Sequence, residues 1–172
     1  MESDDELLDL VDQNDQVIGT ILRSQKPGLG RHGFLRAAEL FIQNSHGELW
    51  VPRRSPHKSI APGGFDFSAS GHVGSGESYL EALKREVKEE LNLNLDPQSL
   101  KLIYKFPPTG DEKLFFRAVY IYYSDEVPKF NRGDFSGYEW LAPKELLKRL
   151  VAGERAKRSL QETVTYLLKH PE

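Results

Sequence analysis

Short apolar runs separated by polar turn residues predict two β-hairpins in the first third of the chain. Residues 8–11 and 17–21 form the first pair of runs, and residues 37–42 and 49–51 form the second. The glycine-rich stretch 26–33 between the two pairs is typical of an exposed connection. The pattern therefore predicts antiparallel strand pairing early in the chain.

A strand, a glycine-rich turn and an amphipathic helix are predicted next. Apolar residues over 65–70 indicate the strand, and glycines recur through 71–76. Ser78 and Glu81 have the S-x-x-E spacing of a capping box, in which each side chain binds a backbone N–H at the start of a helix. Asn92 marks the exit, because asparagine tolerates the left-handed conformation that often ends a helix. Apolar residues at three- and four-residue intervals form one core-facing stripe: Leu80, Leu83, Val87 and Leu91.

The last third of the chain predicts further strands and then helices. Residues 100–106 and 114–123 are rich in β-branched and aromatic side chains, and Glu139-Trp140-Leu141 is a further short strand. Pro143 suits the first turn of a helix, and a second helix is expected after Gly153, ending near Lys169. This order of elements favours an α/β (α+β) fold with a mixed sheet packed against helices.

Composition narrows the class of protein. A chain of 172 residues has room for one core, so a single domain over residues 1–172 is expected. No segment approaches the roughly 18 consecutive apolar residues of a membrane span, and the acidic first residues are unlike a secretory signal. We therefore expect a cytoplasmic protein with no membrane partner.

Charge and cysteine usage limit the possible chemistry. The net charge of −3 argues against a protein that mainly binds nucleic acid. The chain has no cysteine, which excludes disulfides, thiolate zinc sites and a thiol nucleophile. Any metal ion must therefore be held by oxygen or imidazole ligands.

Three glutamates on the predicted helix are the main candidates for chemistry. Glu86, Glu89 and Glu90 stand at i, i+3 and i+4, so they share a face. Like charges at this spacing repel by roughly 0.2–0.5 kcal/mol per pair, and the C-terminal half of a helix disfavours anions. A divalent cation would offset both costs, and oxygen ligands favour magnesium, manganese or calcium. The alternative is an ordinary solvated face, since Lys84 and Lys88 are interleaved with the glutamates.

The segment 71–93 resembles the Nudix box, G-x5-E-x7-R-E-U-x-E-E-x-G-U, where U is aliphatic. Every specified position matches except Asn92, where the family has glycine. The departure is mild, because both residues tolerate a left-handed backbone. The resemblance implies a Nudix-type α/β/α sandwich with a mixed central sheet.

The resemblance also implies a metal site that holds Mg²⁺, with Mn²⁺ as a substitute. Glu86 and Glu90 correspond to the principal ligands, and Glu89 to a third ligand or one acting through water. The backbone carbonyl of Ser70 or Gly71 would complete the site. The family's box folds as a loop, a helix and a loop, and its glutamates hold the cation against a diphosphate.

Further roles follow from the same resemblance. Arg85 and Glu77 correspond to a pair in which the arginine orients the carboxylates; as a simple surface ion pair they would contribute only about 0–1 kcal/mol. Glu86 or Asp134 would take a proton from the attacking water. Asp134 is alternatively an ordinary turn residue.

Arg53, Arg54 and Lys58 are candidates for binding the non-reacting phosphates, since guanidinium groups bind phosphate in bidentate fashion. The alternative is a basic loop facing solvent. Strand aromatics are available to stack on a base, although such residues more often belong to the core: Phe65, Phe67, Tyr104 and Phe106. The implied reaction is Mg²⁺-dependent hydrolysis of a diphosphate bond in a nucleoside diphosphate derivative or a nucleoside di- or triphosphate.

Two rival functions stay open. The Ser70-Gly71-His72 segment also resembles isopentenyl diphosphate isomerase, a relative with the Nudix fold, but that enzyme has a cysteine where this chain has Ser70. Serine is a poor proton-transfer group at neutral pH, which disfavours isomerisation. His72 either echoes a metal ligand of the isomerase or lies in a turn. The other rival is a nucleotide-binding sensor or adaptor without catalysis. The sequence specifies neither the particular diphosphate nor whether the protein is a monomer or a homodimer.

Overall fold

The computed structural model describes residues 5–28, 32–109 and 113–171. Eight strands and three α-helices are present in this part of the chain. Short 3₁₀ helices cover Arg23–Gly28 and Pro97–Ser99. The strands are β1 (Leu7–Val11), β2 (Val17–Leu22), β3 (Leu35–Gln43), β4 (Leu49–Arg54), β5 (Ala69–His72), β6 (Leu100–Phe106), β7 (Phe115–Tyr123) and β8 (Phe135–Leu141), and the helices are α1 (Tyr79–Leu91), α2 (Pro143–Val151) and α3 (Leu160–Lys169).

The main sheet is mixed. Its strands follow the order β6-β7-β3-β4-β8, and β5 pairs with β3. β3 and β7 are parallel, whereas the other pairs in this sheet are antiparallel. β4 pairs with β3 in the sheet at Gln43 and Leu49, and β5 pairs with the earlier part of β3, from Ala37 to Leu40. The chain therefore enters the glycine-rich turn from the middle of the sheet.

Helices cover both faces of this sheet. Alternating side chains of β3 point to opposite sides: Leu40 packs with Leu83 and Val87 of α1, whereas Phe41 packs with Leu146 of α2 and Val164 of α3. This arrangement confirms the expected α/β/α sandwich with a mixed central sheet.

The N-terminal hairpin of β1 and β2 lies against the turn that precedes α1. Leu8 bridges Gly74, and Ser75 N donates to Leu7 O at 2.9 Å. The side chain of Asp15 at the hairpin tip accepts hydrogen bonds from Arg36 and Tyr79, among others. None of the helices in the described part of the chain is long and apolar enough to cross a membrane.

Four boundaries differ clearly from the sequence prediction. β8 begins at Phe135, four residues before the predicted strand 139–141. Arg53 and Arg54 belong to β4 rather than to a basic loop. The strand predicted over 65–70 forms at Ala69–His72 instead, because the Ser68 hydroxyl replaces regular backbone pairing: it accepts from Ile42 N at 2.8 Å and donates to Trp50 O at 2.7 Å.

The last helix begins at Leu160 rather than soon after Gly153. The preceding segment runs extended beside Phe65, whose N donates to Arg155 O and whose O accepts from Lys157 N, both at 2.9 Å. Backbone pairing with another part of the chain therefore replaces helical hydrogen bonds there. The predicted connection 26–33 lies partly outside the described residues.

Candidate active site

Local interactions fix both ends of α1. Ser78 and Glu81 form the predicted capping box, and Asn92 adopts the left-handed conformation with φ 52° and ψ 32°. Leu83, Val87 and Leu91 of the predicted stripe are buried against the sheet, whereas Leu80 is only partly buried and Ala82 is the fourth buried residue of the helix. Glu89 therefore faces solvent on the side away from this stripe, whereas the carboxyl groups of Glu86 and Glu90 are largely buried.

Gly71 and Glu86 are in close contact. A Cβ atom added at Gly71 would overlap the carboxyl group of Glu86. Only glycine leaves this space, because every other residue carries a Cβ. The glycine at the start of the box therefore lets the Glu86 carboxyl group lie directly on the backbone of β5.

Arg85 connects the turn and the helix. Its guanidinium group donates to both carboxylate oxygens of Glu77, at 2.8 and 3.0 Å, to His72 O at 3.1 Å and to Glu86 Oε1 at 2.6 Å. Glu77 also accepts from Gly74 N at 2.8 Å. The hydrogen bonds from Arg85 and Gly74 hold the pKa of Glu77 below its usual value. The bidentate geometry and the link to Glu86 exceed what a simple surface ion pair would show.

The three predicted glutamates differ in burial. The side chain of Glu89 is 60% exposed, whereas that of Glu86 is 14% exposed. Burial raises the pKa of Glu86 to about 7, against the effect of Arg85. Burial also raises the pKa of Glu90 well above its usual value, and the neighbouring charges of Glu86 and Asp66 add to this rise. Two adjacent carboxyl groups are thus costly to ionise in this site.

The segment between β7 and β8 docks onto the C-terminal end of α1. Asn131 N donates to Glu90 O, and Asn92 Nδ2 donates to Lys129 O, both at 2.7 Å. Asp134 follows in this segment, and its charge raises the pKa of Glu90 further. The predicted general-base candidate therefore lies beside the glutamates, where it accepts from Lys58 Nζ at 2.7 Å.

The two adjacent arginines of β4 have different surroundings. Arg53 forms ion pairs with Glu139 at 3.2 Å and Glu154 at 2.7 Å. Arg54 forms an ion pair with Asp66 and donates to Ile60 O at 2.6 Å. Arg54 is thus paired with Asp66, whose charge acts on Glu90. Arg53 instead contacts Glu139 in β8 and Glu154 in the segment after α2. The predicted phosphate-binding role of Arg53, Arg54 and Lys58 stays a prediction.

Sequence reasoning missed two residues at this site, Asp66 and Lys157. Asp66 is a buried carboxylate between buried Phe65 and Phe67. A charged residue inside an apolar strand pattern is a signal that was available in the sequence. Lys157 has no comparable signal, because only the tertiary fold brings it to Ser70, where Nζ donates to Oγ at 2.6 Å.

His72 lies next to the site without joining the glutamates. Its ring stacks on Phe115 with centroids 5.2 Å apart and an interplanar angle of 26°. Burial lowers the pKa of His72 to about 3, and nearby cations such as Arg23 lower it further. His72 is therefore neutral at physiological pH, with its ring packed against an aromatic neighbour.

The donor set suits a hard divalent cation, because the side chains of Glu86, Glu89 and Glu90 all end in carboxylate oxygens. Within the residues that the structure describes, no three His, Asp or Glu side chains converge closely enough to form a ready-made metal site. Glu86, Glu89 and Glu90 are neighbours on one helix, so ligation by all three requires their side chains to rotate. The Glu86 carboxyl group lies against Gly71, and the pKa values of Glu86 and Glu90 are raised. Both features are consistent with carboxylates that a bound cation would stabilise.

A mixed sheet between helices, with the G-x5-E-x7-R-E-U-x-E-E box spanning a turn and a helix, defines the Nudix class of proteins. The family profile described as NUDIX domain matches residues 33–162. The chain belongs to the Nudix family, which confirms the resemblance seen in the sequence.

Known relatives agree with this assignment. The chain is 48% identical to a Nudix hydrolase of Deinococcus radiodurans over 160 residues, 93% of this chain and 92% of that protein. It is 43% identical to an uncharacterized Nudix hydrolase of Nostoc sp. over 164 residues, 95% of this chain and 96% of that protein. The crystal structure of DR0079 from Deinococcus radiodurans is similar with a TM-score of 0.85 and 46% identity, covering 93% of this chain and 98% of that one. An isopentenyl-diphosphate Delta-isomerase of Kocuria rhizophila is 30% identical over 142 residues, 80% of this chain and 78% of that enzyme.

These relatives establish the general activity. The protein is an enzyme of the Nudix hydrolase type, which acts on phosphoric anhydrides. Members of the family generally use divalent metals, and the family suggests a small nucleotide-derived substrate.

Proposed function

We propose that this enzyme catalyses Mg²⁺-dependent hydrolysis of the diphosphate bond in a nucleoside diphosphate derivative or a nucleoside di- or triphosphate. The observation that carries the proposal is the pair of neighbouring carboxyl groups, Glu86 and Glu90, whose pKa values are both raised. A divalent cation favours their ionised forms and offsets their mutual repulsion.

The ligand set follows the box. Glu86 and Glu90 are the principal ligands of Mg²⁺, or of Mn²⁺ as a substitute. Glu89 is a third ligand or acts through water, which its exposure allows. The backbone carbonyl of Ser70 or Gly71 contributes at the end of β5. Arg85 keeps Glu86 oriented while Glu77 holds the arginine in place.

A bound divalent cation neutralises the charge of the diphosphate and lowers the pKa of water that attacks phosphorus. Glu86 or Asp134 accepts the proton from this water. Lys58 and Arg54 lie beside Asp134 and Asp66, from where they can exchange a carboxylate partner for a phosphate of the substrate. Arg53 is the third candidate for this role, although its ion pairs with carboxylates must first be broken.

The test compares Glu90→Gln with the wild-type protein on a panel of nucleoside diphosphates, triphosphates, nucleotide sugars and dinucleotides, assayed with Mg²⁺ or Mn²⁺ and with a chelator. The amide cannot replace an ionised ligand, so we expect kcat to fall on the order of 100-fold, as when one charge-stabilising group is removed from an active site. Circular dichroism should show unchanged folding. Glu145→Gln, on the exposed side of α2, is the matched control.

The outcomes separate the rival functions. Unchanged turnover by Glu90→Gln would remove α1 from the mechanism. Binding of nucleotides without any product across the panel would favour the sensor or adaptor. Isomerisation stays disfavoured because Ser70 takes the place of the cysteine, although one relative is an isopentenyl-diphosphate Delta-isomerase.

Three further expectations stay predictions: one domain over residues 1–172, a cytoplasmic location, and a monomer or homodimer that binds no nucleic acid. Size-exclusion chromatography with light scattering tests the oligomeric state directly.

A further inference from the structure

Lys157 reaches the candidate active site from the segment between α2 and α3. Its backbone N donates to Phe65 O at 2.9 Å, and Ala156 forms a parallel bridge with Phe65. The main chain at this position is therefore held against the segment that carries Asp66. This backbone pairing with Phe65 fixes the position of the Lys157 Cα atom.

The Lys157 ammonium group lies next to Ser70 and Asp66, close to the glutamates of the candidate active site. Lys157 Nζ donates to Ser70 Oγ at 2.6 Å and lies 4.0 Å from Asp66 Oδ1. Ser70 directly precedes Gly71, on which the Glu86 carboxyl group lies.

The charge of Lys157 acts on the carboxyl groups of Asp66, Glu39 and Glu90, and its ammonium group lies 5.9 Å from the centre of the Phe67 ring, but its hydrogen bonding is less complete. An ammonium group has three donors, and among the described residues its hydrogen-bond acceptor is the neutral Ser70 hydroxyl. The nearest carboxylate, Asp66, is already engaged, since it accepts from Phe67 N at 2.7 Å and forms an ion pair with Arg54. The Lys157 side chain is only 28% exposed. Few water molecules can therefore accept hydrogen bonds from the two ammonium donors that Ser70 does not use. A partly buried cation in this state is suited to an anionic ligand.

We propose that Lys157 binds a phosphoryl oxygen of the substrate's diphosphate and completes, from the sheet side, the positive surroundings that the cation supplies from α1. This inference rests on the proposed function, because it assigns a contact within the same site. Lysine suits the task as a compact point charge on a flexible stem, which can follow the phosphate as it moves.

The alternative is that Lys157 only supports the local fold through Ser70 and Asp66. In that case its removal would lower stability without a specific effect on diphosphate binding. The proposal predicts the opposite pattern, with weaker diphosphate binding and a retained fold.

The experiment measures binding of methylenediphosphonate, a non-hydrolysable diphosphate, by isothermal titration calorimetry in the presence of Mg²⁺. Lys157→Gln removes the charge but keeps a donor for Ser70. We expect its Kd to rise roughly tenfold or more, the loss of one charge-assisted phosphate contact. Arg158→Gln, at the exposed neighbouring position, is the matched control and should bind as the wild type does. Lys157→Arg, which keeps the charge, should retain most of the affinity.

Kinetics on the best substrate of the panel give an independent readout. Lys157→Gln should raise KM at least as strongly as it lowers kcat, and its thermal midpoint should stay close to that of the wild type.

An unchanged Kd and KM in a folded Lys157→Gln protein would overturn the proposal while leaving hydrolysis by the wild type intact. If the wild type binds the diphosphonate but hydrolyses no member of the panel, the proposed function fails and the role of Lys157 in binding is still decided by the calorimetry. If Lys157→Gln does not fold, the affinity of Lys157→Arg decides. A Kd that rises tenfold or more in the folded Lys157→Arg protein would overturn the proposal.

Discussion

Gly71 and Glu86 show how one missing side chain positions one functional group. The Glu86 carboxyl group occupies the space where a Cβ atom of residue 71 would lie. Arg85 holds the same carboxyl group from the other side at 2.6 Å. The position of Glu86 is therefore set by a close backbone contact and by one charged hydrogen bond.

Gly71→Ala tests this contact. The methyl group must displace the end of a flexible side chain, so we expect the free energy of unfolding to change by less than about 1 kcal/mol. A shift of about 1 Å in a catalytic group can cost on the order of 100-fold in rate, so kcat should fall strongly. Steady-state kinetics and urea unfolding measure the two effects. Gly19→Ala, where an added Cβ meets nothing within 4 Å, is the control, and equal activity of the two variants would contradict this account.

Several elements hold α1 in place besides the sheet. The β1–β2 hairpin binds the turn before the helix, and the segment before β8 binds its C-terminal end through Asn131 and Asn92. The hairpin is anchored by Asp15, which is buried and accepts from Arg36 Nε at 2.6 Å and Tyr79 Oη at 2.9 Å. Lys105 of β6 forms an ion pair with the same carboxylate. One aspartate thus joins a hairpin, a helix and the main sheet.

Asp15→Asn tests this junction and its dependence on pH. Burial alone would raise the pKa of Asp15, but hydrogen bonds from Lys105, Arg36 and Tyr79 hold it below the ordinary value of 3.8. A lowered folded-state pKa stabilises the protein above the unfolded pKa, and this contribution is lost as the pH falls through the folded pKa. Asparagine tolerates the positive φ of 59° at this position, so the substitution mainly removes charge.

We expect Asp15→Asn to lower the free energy of unfolding by about 1.5–3 kcal/mol at pH 7, the range of hydrogen bonds to a charged group. The difference from the wild type should shrink as the pH falls below about 4. Denaturant unfolding at a series of pH values measures both quantities. A difference that stays constant down to pH 3 would contradict the proposed role of the ionised carboxylate.

The sheet and the C-terminal helix are joined through a buried charge network. Arg117 of β7 donates to Glu39 of β3 at 2.7 Å, to Thr163 at 3.0 Å and to Glu162 of α3 at 2.9 Å. The guanidinium group also lies 4.4 Å from the centre of the Phe106 ring. Burial raises the pKa of Glu39, and Arg117 opposes this rise. These contacts connect the central strands to the helix layer opposite α1.

Arg117→Met leaves Glu39 buried without its cation. Breaking a buried ion pair by removing one partner costs about 3–5 kcal/mol, and urea unfolding should show a loss of this size. The double variant Glu39→Gln with Arg117→Met removes the stranded charge and should recover part of the stability. A double variant no more stable than the single one would show that the loss comes from packing rather than from charge.

The sequence by itself determined α1, and its resemblance to the Nudix box supplied the chemistry proposed for that helix. The capping box, the apolar stripe and Asn92 act within a few residues of one another, so their consequences do not depend on the rest of the chain. The same is true of β6, which has the predicted bounds 100–106. The family resemblance rested on this local segment, and the family match confirms it.

Only the tertiary structure decided which distant residues surround that helix. Lys157 reaches Ser70 because the segment before α3 pairs with Phe65, and Asp66 forms an ion pair with Arg54 because β4 continues through both arginines. Such contacts join residues far apart in the chain. The hydrogen bonds of the Ser68 side chain also explain why β5 begins at Ala69 and not at the predicted residue 65. Periodicity records which face of an element is buried, whereas the partners of a buried charge are set by how those elements pack.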